Sequence, residues 1–296
     1  MEPNGEQRPG GRLSNLARAL DPWGFPIVYL GWAFVFWAPI VGSDASVWSF
    51  PNVVLFALGG SSPLVAGVLF SWLTMGRDGV RDLGRRLIER WRIDPRWWLV
   101  ILLFWPVFTL LAAAAALALG ITSTPLELVS TSRLFDPVAV GSILFFGFVA
   151  ALPEEVGLRG YWLDRLQERW SALAAGLING STWAVWHAPL ILLPGYYAHT
   201  TFQPELSWWM PYLVLSALTY VWIYNNTNRS ILAVLCFHAF QNTSGELFGF
   251  APEMYPFVLY GLLLVAALLV AIWGPGSLRG WGTSRPTVSH TSCETR

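Results

Sequence analysis

The sequence predicts an all-α membrane protein, a polytopic bundle of about eight transmembrane helices. Of the 296 residues, 54% are hydrophobic and 12% are charged, whereas about 25% of residues are charged in soluble domains. Apolar stretches recur along the chain at close to the roughly 20 residues that cross a bilayer. Arginines cluster in alternate connections between those stretches. One soluble core could not bury this much apolar surface, so we interpret the chain as an integral membrane protein.

Hydropathy divides the chain into eight candidate spans. In order, they lie at 23–42, 53–75, 97–119, 138–166, 171–193, 208–224, 230–248 and 254–273. The first has a polar leader and an apolar run that are both longer than in a usual signal peptide, so we assign it as a span. The fourth differs from the others because its second half is polar.

The arginines predict the orientation of these spans. On one side of the membrane, the tails and connections contain Arg8, Arg12, Arg18, Arg77, Arg81, Arg85, Arg86, Arg90, Arg92, Arg96, Arg165, Arg169, Arg229, Arg279, Arg285 and Arg296. The connections on the other side contain only Arg133. Because cytoplasmic connections carry the arginine excess, we predict a multi-pass protein with both termini in the cytoplasm.

Several segments outside the spans have compositions of their own. Residues 1–22 and 274–296 are rich in Gly, Pro, Ser, Thr and Arg, which predicts flexible cytoplasmic tails. Within the N-terminal helices, 23–135, segment 77–93 has apolar residues at helical spacing and arginines on its other face. We predict that it lies flat on the inner leaflet among anionic headgroups as an anchor. The aromatic loop 194–210, which contains His199, is typical of an interfacial belt, with a lid over a cavity as the alternative.

Composition also excludes several classes of function. The formal net charge is zero, which gives no reason to expect a nucleic-acid partner. The two cysteines, Cys236 and Cys293, form no CxxC pattern, so neither a thiol redox site nor a thiolate metal site is indicated. The chain contains no P-loop and no dinucleotide-binding glycine fingerprint.

Polar side chains form three clusters inside the predicted spans. These are Glu154, Glu155 and Arg159; Asn179, Trp183 and His187; and His238, Asn242 and Glu246. In the second and third clusters the residues recur every four positions, so each set shares one helix face. Because an ionisable residue at mid-bilayer costs about 2.5–3.5 kcal/mol, the clusters are expected to meet one another or to line a wet cavity.

Helical geometry separates the two adjacent glutamates. Glu155 and Arg159 are four residues apart and can form an ion pair along one face. Glu154 points about 100° away and lacks that partner. The sequence therefore predicts one neutralised, structural carboxylate and one carboxylate that is free for chemistry.

The lengths of the spans bring these residues to similar depths. If the fourth span continues through Pro153 and turns near Trp170, Glu154 and His187 lie about 24 and 26 Å from the turn. His238 lies about 15 Å from its own turn. All three meet if the fourth and fifth spans project about 10 Å further into the cytoplasm.

Two kinds of site remain open for this set of residues. In one, Glu154 takes a proton from water, a histidine orients that water, and Asn242 with the second imidazole donates hydrogen bonds to an oxyanion. In the other, Glu154, His187 and His238 bind a divalent metal such as zinc and leave one position for water. Residue types alone do not choose between them.

Structural interpretations stand beside the functional ones. The Glu155–Arg159 pair by itself is more often structural. Asn179 is expected to tie helices together, and Trp183 to pack. Glu246 is as compatible with a protonated, hydrogen-bonded side chain as with a site residue.

The three clusters resemble a known family. "EEVGLR" from Glu154 to Arg159 resembles the EExxxR motif of the CAAX protease and bacteriocin-processing (CPBP, or Abi) family. "WAVWH", ending at His187, resembles its FxxxH motif, and "HAFQN", from His238 to Asn242, its HxxxN motif. Order and spacing agree over 136–250, and the departure is Trp183 where phenylalanine is usual. Residues 1–135 carry no family motif, and 251–273 form the last helix.

The resemblance implies an eight-helix intramembrane endopeptidase. The expected location is the cell membrane of a bacterium. Glu154 would activate water together with His187. His238 and Asn242 would stabilise the oxyanion, or His238 would ligate a metal, while Glu155 and Arg159 would support the site. The implied substrate is a membrane-associated or lipidated protein or peptide.

Two other classes of function compete with the protease. One is a non-catalytic immunity factor or scaffold that retains the fold. The other is a transporter with Glu154, His187, His238 and Glu246 as a proton relay. A transporter would need paired, broken helices in two halves of the chain, and no such symmetry is evident in the sequence.

Overall fold

The computed structural model describes residues 11–128, 135–198, 202 and 204–280. The helices of this part of the chain are α1 Arg12–Leu20, α2 Gly24–Val41, α3 Asn52–Gly60, α4 Ser62–Ile88, α5 Pro95–Ala118, α6 Pro137–Glu154, α7 Leu163–Gln167, α8 Ala172–His187, α9 Leu206–Asn226, α10 Ile231–Leu247 and α11 Tyr255–Trp273. A π-helix, Glu155–Trp162, joins α6 to α7, and short 3-10 turns lie at Arg90–Arg92, Ala188–Leu192 and Pro252–Met254. Strands β1 (Leu126–Leu128) and β2 (Phe248–Phe250) pair antiparallel, with Leu126 opposite Phe250. The all-α fold class is confirmed.

Each of the eight predicted spans contains a helix of the structure. Five helices of the described residues are long and apolar enough to cross a membrane: α2, α5, α9, the continuous stretch Pro137–Gln167 and the stretch Pro252–Trp273. Helices α3 and α4, bent by 42° at their junction, form a sixth candidate as one broken span. Helices α8 and α10 have 16 and 17 residues, fewer than the roughly 20 of a full span. The molecule is a polytopic, integral membrane protein.

Local sequence signals begin several of these helices. Ser171 and Ser230 precede α8 and α10, and their hydroxyls accept hydrogen bonds from the backbone N–H groups of Ala174 and Ala233 at 3.2 and 3.1 Å. Before α6, the Asp136 carboxylate accepts from the N–H of Val138 at 2.9 Å, and a proline follows at the first helical position. Serine and aspartate satisfy N–H groups that the first turn leaves unpaired, so they fix where these helices start.

Glycines let the helices that carry the motifs pack closely. A Cβ at Gly180 of α8 would lie 2.7 Å from Ala217 Cβ of α9, and one at Gly147 of α6 would lie 3.1 Å from the Ala239 oxygen of α10. The closest approach joins the π-helix to α4, where a Cβ at Gly157 would lie 2.0 Å from the Pro63 oxygen. Small residues bring backbones together in this way in membrane bundles. The motif helices are therefore held at short range.

The structure differs from the sequence-based predictions at both tails. Residues 12–20, within the range predicted as a flexible tail, form helix α1, whose Ala17 is buried. At the other end, Leu278 is fully buried, and the Gly276 oxygen accepts a hydrogen bond from the Ala172 N–H at 2.9 Å. These stretches contain apolar residues that composition alone did not separate from their polar surroundings.

The predicted interfacial segment 77–93 is largely the second half of a bent helix. Helix α4 changes direction at Gly76 (φ 69°, ψ −152°) and continues to Ile88. Arg86 is buried, and its guanidinium contacts Asp82 at 2.8 Å and Asp164 at 3.2 Å. This arginine therefore faces a protein partner, and the headgroup role of the segment stays a prediction. The predicted loop residue His199 lies outside the described residues.

Candidate active site

The first motif forms the π-helix Glu155–Trp162. All eight of its residues are buried. The segment follows Pro153, which has no N–H to give to the helical ladder. A π-turn is wider than an α-turn and occurs frequently at functional sites.

Glu155 is the neutralised carboxylate of the adjacent pair. Its Oε1 accepts a hydrogen bond from Arg159 Nη1 at 2.9 Å, and both side chains are fully buried. His238 Nδ1 lies 2.8 Å from the same oxygen. One carboxylate therefore fixes both the arginine and the imidazole of α10. In His238, Nε2 remains as the ring nitrogen that can face a substrate.

Two aromatic rings enclose the buried guanidinium. Arg159 Cζ lies 4.7 Å from the ring centroid of Trp183 and 4.3 Å from that of Tyr220. Among the described residues, its Nε and Nη2 have no hydrogen-bond partner. Cation–π contact, worth about 2 kcal/mol when desolvated, offsets part of that loss. The arginine is held by one ion pair and two ring faces.

Glu154 has a different partner. Its Oε2 accepts a hydrogen bond from the indole Nε1 of Trp183, and the carboxylate is buried. No other described residue donates a hydrogen bond to it. Trp183, predicted from sequence to pack, therefore also binds the candidate catalytic carboxylate.

His187 lies one helical turn beyond Trp183. Its Nδ1 lies 3.0 Å from the Trp183 carbonyl oxygen. A carbonyl only accepts, so the ring carries its proton on Nδ1 and presents Nε2 as an acceptor. The ring contacts those of Trp183, Trp186 and Trp209 at centroid distances of 5.2, 4.8 and 5.6 Å. Since Glu154 also contacts Trp183, the carboxylate and this imidazole lie at similar depths.

The other residues of the three clusters, Asn179, Asn242 and Glu246, have contacts outside the group formed by Glu154, Trp183 and the two histidines, or lie away from it. Asn242 Nδ2 lies 3.4 Å from the Gly147 oxygen of α6, so this amide faces the site helix. Asn179 ties helices together, as predicted, because its Nδ2 donates to the Leu158 oxygen at 3.0 Å. Glu246 is exposed. It lies two turns, about 12 Å, beyond His238 on α10.

Two comparisons bear on this arrangement. A family model described as Type II CAAX prenyl endopeptidase Rce1-like matches residues 136–244. "CAAX prenyl protease 2" of Methanococcus maripaludis is 26% identical over 235 residues, which cover 77% of this chain and 84% of the relative. Residues 136–244 are thus similar to the CAAX prenyl endopeptidases. The residues matched by the family model include every predicted site residue, from Glu154 to Asn242.

The metal hypothesis can be tested on the donor set of the candidate site. Within the described ranges, no three His, Cys, Asp or Glu side chains are grouped so that they could hold a metal ion. His238 Nδ1 contacts Glu155, and His187 Nδ1 faces a backbone oxygen. These contacts leave the Nε2 atoms of both histidines free, the arrangement that metal-binding histidines commonly have, so a metal site at Glu154, His187 and His238 stays a prediction.

A cavity of about 100 Å³ lies beside the candidate site. Its walls are mainly aromatic and apolar, and include Trp105, Phe108, Trp208, Phe250 and Tyr255. Gln241 lines it, donates to the Tyr212 hydroxyl at 2.9 Å, and accepts from the Tyr220 hydroxyl. Tyr220 in turn packs against His238, with ring centroids 5.3 Å apart. A chain of contacts thus joins the cavity to the site.

Sequence reasoning missed Tyr220 and Gln241. Gln241 lies inside the third motif, but it is uncharged and falls outside the four-residue spacing of His238, Asn242 and Glu246, so nothing in the sequence pattern was a reason to select it. Tyr220 lies on α9, a span without an acidic, basic or histidine side chain. A tyrosine in the middle of an apolar span was the one available signal, because its hydroxyl needs a partner when buried.

Proposed function

We propose that this protein is an intramembrane endopeptidase that hydrolyses a peptide bond of a membrane-associated or lipidated protein. The observation that carries the proposal is the meeting of Glu154, His187 and His238 around Trp183. The indole N–H bonds the carboxylate, and the indole ring contacts both imidazoles, at 5.2 Å for His187 and 5.5 Å for His238. A base, a water-orienting acceptor and a second imidazole are then available at one place.

The proposed reaction begins with a water molecule between Glu154 and His187. Glu154 takes one proton from this water, the other hydrogen stays on the oxygen and donates a hydrogen bond to the free Nε2 of His187, and the water oxygen attacks the scissile carbonyl carbon. A tetrahedral oxyanion forms. Protonated His238, through Nε2–H, and the Asn242 amide donate hydrogen bonds to that oxygen.

Collapse of the intermediate completes the hydrolysis. The protonated Glu154 returns its proton to the amide nitrogen, the carbon–nitrogen bond breaks, and the products are a carboxylic acid and an amine; the acid then loses its proton to water. Glu155 and Arg159 take no part in bond making. Their role is to keep His238 in place, because the Glu155 carboxylate bonds both side chains.

The substrate class is proposed from three features together. The matching relative is named a CAAX prenyl protease, the site lies among membrane helices, and an aromatic cavity adjoins it. These support a prenylated CAAX-type protein or peptide, whose hydrocarbon chain remains in lipid or enters the apolar cavity while its peptide reaches Glu154.

The test is cleavage of a farnesylated CAAX peptide by the purified protein in liposomes. We expect Glu154→Gln to reduce the cleavage rate by about 10²–10⁴-fold, the range that a general base supplies. Glutamine keeps the size of the side chain and an oxygen for the Trp183 hydrogen bond, so the fold should persist.

Glu246→Gln is the matched control because that glutamate is exposed on the same bundle. It should cleave at the rate of the unsubstituted protein. Equal rates for both variants would refute the role of Glu154. Equal cleavage of the farnesylated peptide and of the same peptide with a free thiol would refute the lipidated substrate.

A further inference from the structure

Trp183 occupies the centre of the candidate site. Its side chain is 1% exposed. The indole N–H donates to Glu154 Oε2, while the ring contacts His187, His238 and the Arg159 guanidinium. Few side chains can combine a hydrogen-bond donor with so large an apolar surface.

The surrounding helices fix the indole in one orientation. Gly180, one turn earlier on α8, brings α8 so close to α9 that a Cβ there would lie 2.9 Å from the Val214 oxygen. Tyr220 of α9 then packs edge-on against the indole at a centroid distance of 5.6 Å. With Arg159 at 4.7 Å, the ring has neighbours from the π-helix and from α9. The donor is therefore held rigidly.

The geometry points to Trp183 as a positioning residue for the proposed reaction: its N–H holds Glu154 Oε2 so that Oε1 faces the reacting water. The inference rests on the proposed function. By occupying one carboxylate oxygen, the indole removes the choice of which oxygen acts as the base. Its ring also packs against both imidazoles, His187 and His238.

If the inference holds, removal of the indole N–H of Trp183 alone should lower the cleavage rate. Trp183→Phe keeps an aromatic ring and removes the donor. A carboxylate free to rotate spends less time aligned with the water, and misalignment at a catalytic group costs up to about 10²-fold in rate. We expect kcat to fall by about 10–100-fold with KM nearly unchanged, since the indole touches the base and not the peptide.

The pH dependence of the cleavage rate is a second measurement, and a role of Trp183 in packing alone would leave it unchanged. A hydrogen-bond donor favours the ionised carboxylate, so its removal should shift the acidic limb of the rate profile to higher pH. The other titratable or charged groups around Glu154 are Tyr29, Glu155, Arg159, His187, Tyr196, Tyr220 and His238. All of them are retained in Trp183→Phe.

The experiment compares full-length variants in liposomes with the farnesylated peptide. Trp37→Phe is the matched control, because the buried Trp37 on α2 donates its N–H to the backbone oxygen of Phe56, at 3.2 Å, and not to a carboxylate of the site. It should match the unsubstituted protein in rate and pH profile. Incorporation of benzothienylalanine at position 183 keeps the bicyclic ring without the N–H and should reproduce the loss seen in Trp183→Phe.

The outcomes separate this inference from the proposed function. If Glu154→Gln is inactive while both position-183 variants match Trp37→Phe in kcat and pH profile, the positioning role is overturned and the protease stands. If Glu154→Gln retains full activity, the proposed function itself fails. If Trp183→Phe fails to fold, the benzothienylalanine protein alone decides, with its thermal midpoint as the check on folding.

Discussion

Neighbouring glutamates in this protein have opposite electrostatic surroundings. Glu155 contacts a guanidinium and an imidazole, whereas Glu154 contacts a neutral indole N–H. A carboxylate paired with Arg159 is a poor base, because the positive charge stabilises its ionised form. Under the proposed mechanism, Glu155 therefore has a structural role and the adjacent Glu154 a chemical one.

We expect Arg159→Met to destabilise the protein strongly. It would leave Glu155 as a fully buried carboxylate without its arginine, and breaking a buried pair in this way costs about 3–5 kcal/mol. The measurement is the thermal midpoint of the purified protein in detergent. The double variant Glu155→Gln with Arg159→Met should recover much of the loss, because no uncompensated charge remains. Equal midpoints for Arg159→Met and the unsubstituted protein would contradict the pairing.

At this scale, the sequence predicts some contacts and not others. The Glu155–Arg159 pair follows from a spacing of four residues, which survives the widening to a π-helix. The partner of Glu154 does not follow, because an indole's direction depends on its rotamer and on the approach of α9. The same holds for the contact of His238 with Glu155, which joins residues 83 positions apart.

The element that organises the site is the π-helix between α6 and α7. Gly157 allows it to touch α4, since even one added carbon would lie 2.0 Å from the Pro63 oxygen. Gly67 of α4 faces the same contact, because a Cβ added there would lie 2.8 Å from Gly157 Cα. Backbone-to-backbone approach of this kind leaves no room for adjustment by a flexible side chain.

Gly157→Ala is expected to separate the π-helix from α4 and to lower both stability and cleavage. Overpacking of a tight contact costs about 1–3 kcal/mol. Gly141→Ala on α6 is the control, because a Cβ there meets nothing within 4 Å. That substitution should be neutral or should stabilise the helix slightly, by up to about 1 kcal/mol. Similar thermal midpoints for the two variants would argue against a tight contact at Gly157.

Hydropathy predicts the helices well and their irregularities poorly. All eight predicted spans contain helix, because runs of apolar residues have few other stable forms in lipid. The π-turns, the bend between α3 and α4 and the two-stranded ribbon depend on contacts between distant segments. Those contacts are absent from any single window of sequence.

On the scale of the whole molecule, two polar networks join the ends of the helices near the predicted cytoplasmic side. In one, Asp164 of α7 contacts Arg86 of α4 and both the Nε and Nη2 of Arg229, with Nε at 3.0 Å. Tyr224 of α9 also donates to Asp164, at 2.9 Å. The network ties the end of the first motif segment to helices distant in sequence.

The second network fixes residues 274–280 against α8 and α9. The side-chain amides of Asn225 and Asn226 each donate at 2.8 Å, to the oxygens of Ser277 and Leu278. We expect a chain ending at residue 280 to keep these contacts and its full cleavage rate. A chain ending at residue 273 should lose them and melt at a lower temperature. Thermal midpoints and rates measured side by side test this, and equal behaviour of both truncations would contradict the docking.

The shortness of α8 and α10 bears on how the protein enters the bilayer. With 16 and 17 residues and several polar side chains, neither segment should partition stably into lipid alone. Both would have to enter the lipid together with longer apolar helices such as α9 and α11, which would cover their polar side chains. Membrane insertion and assembly of the reactive centre would then be a single event during biosynthesis.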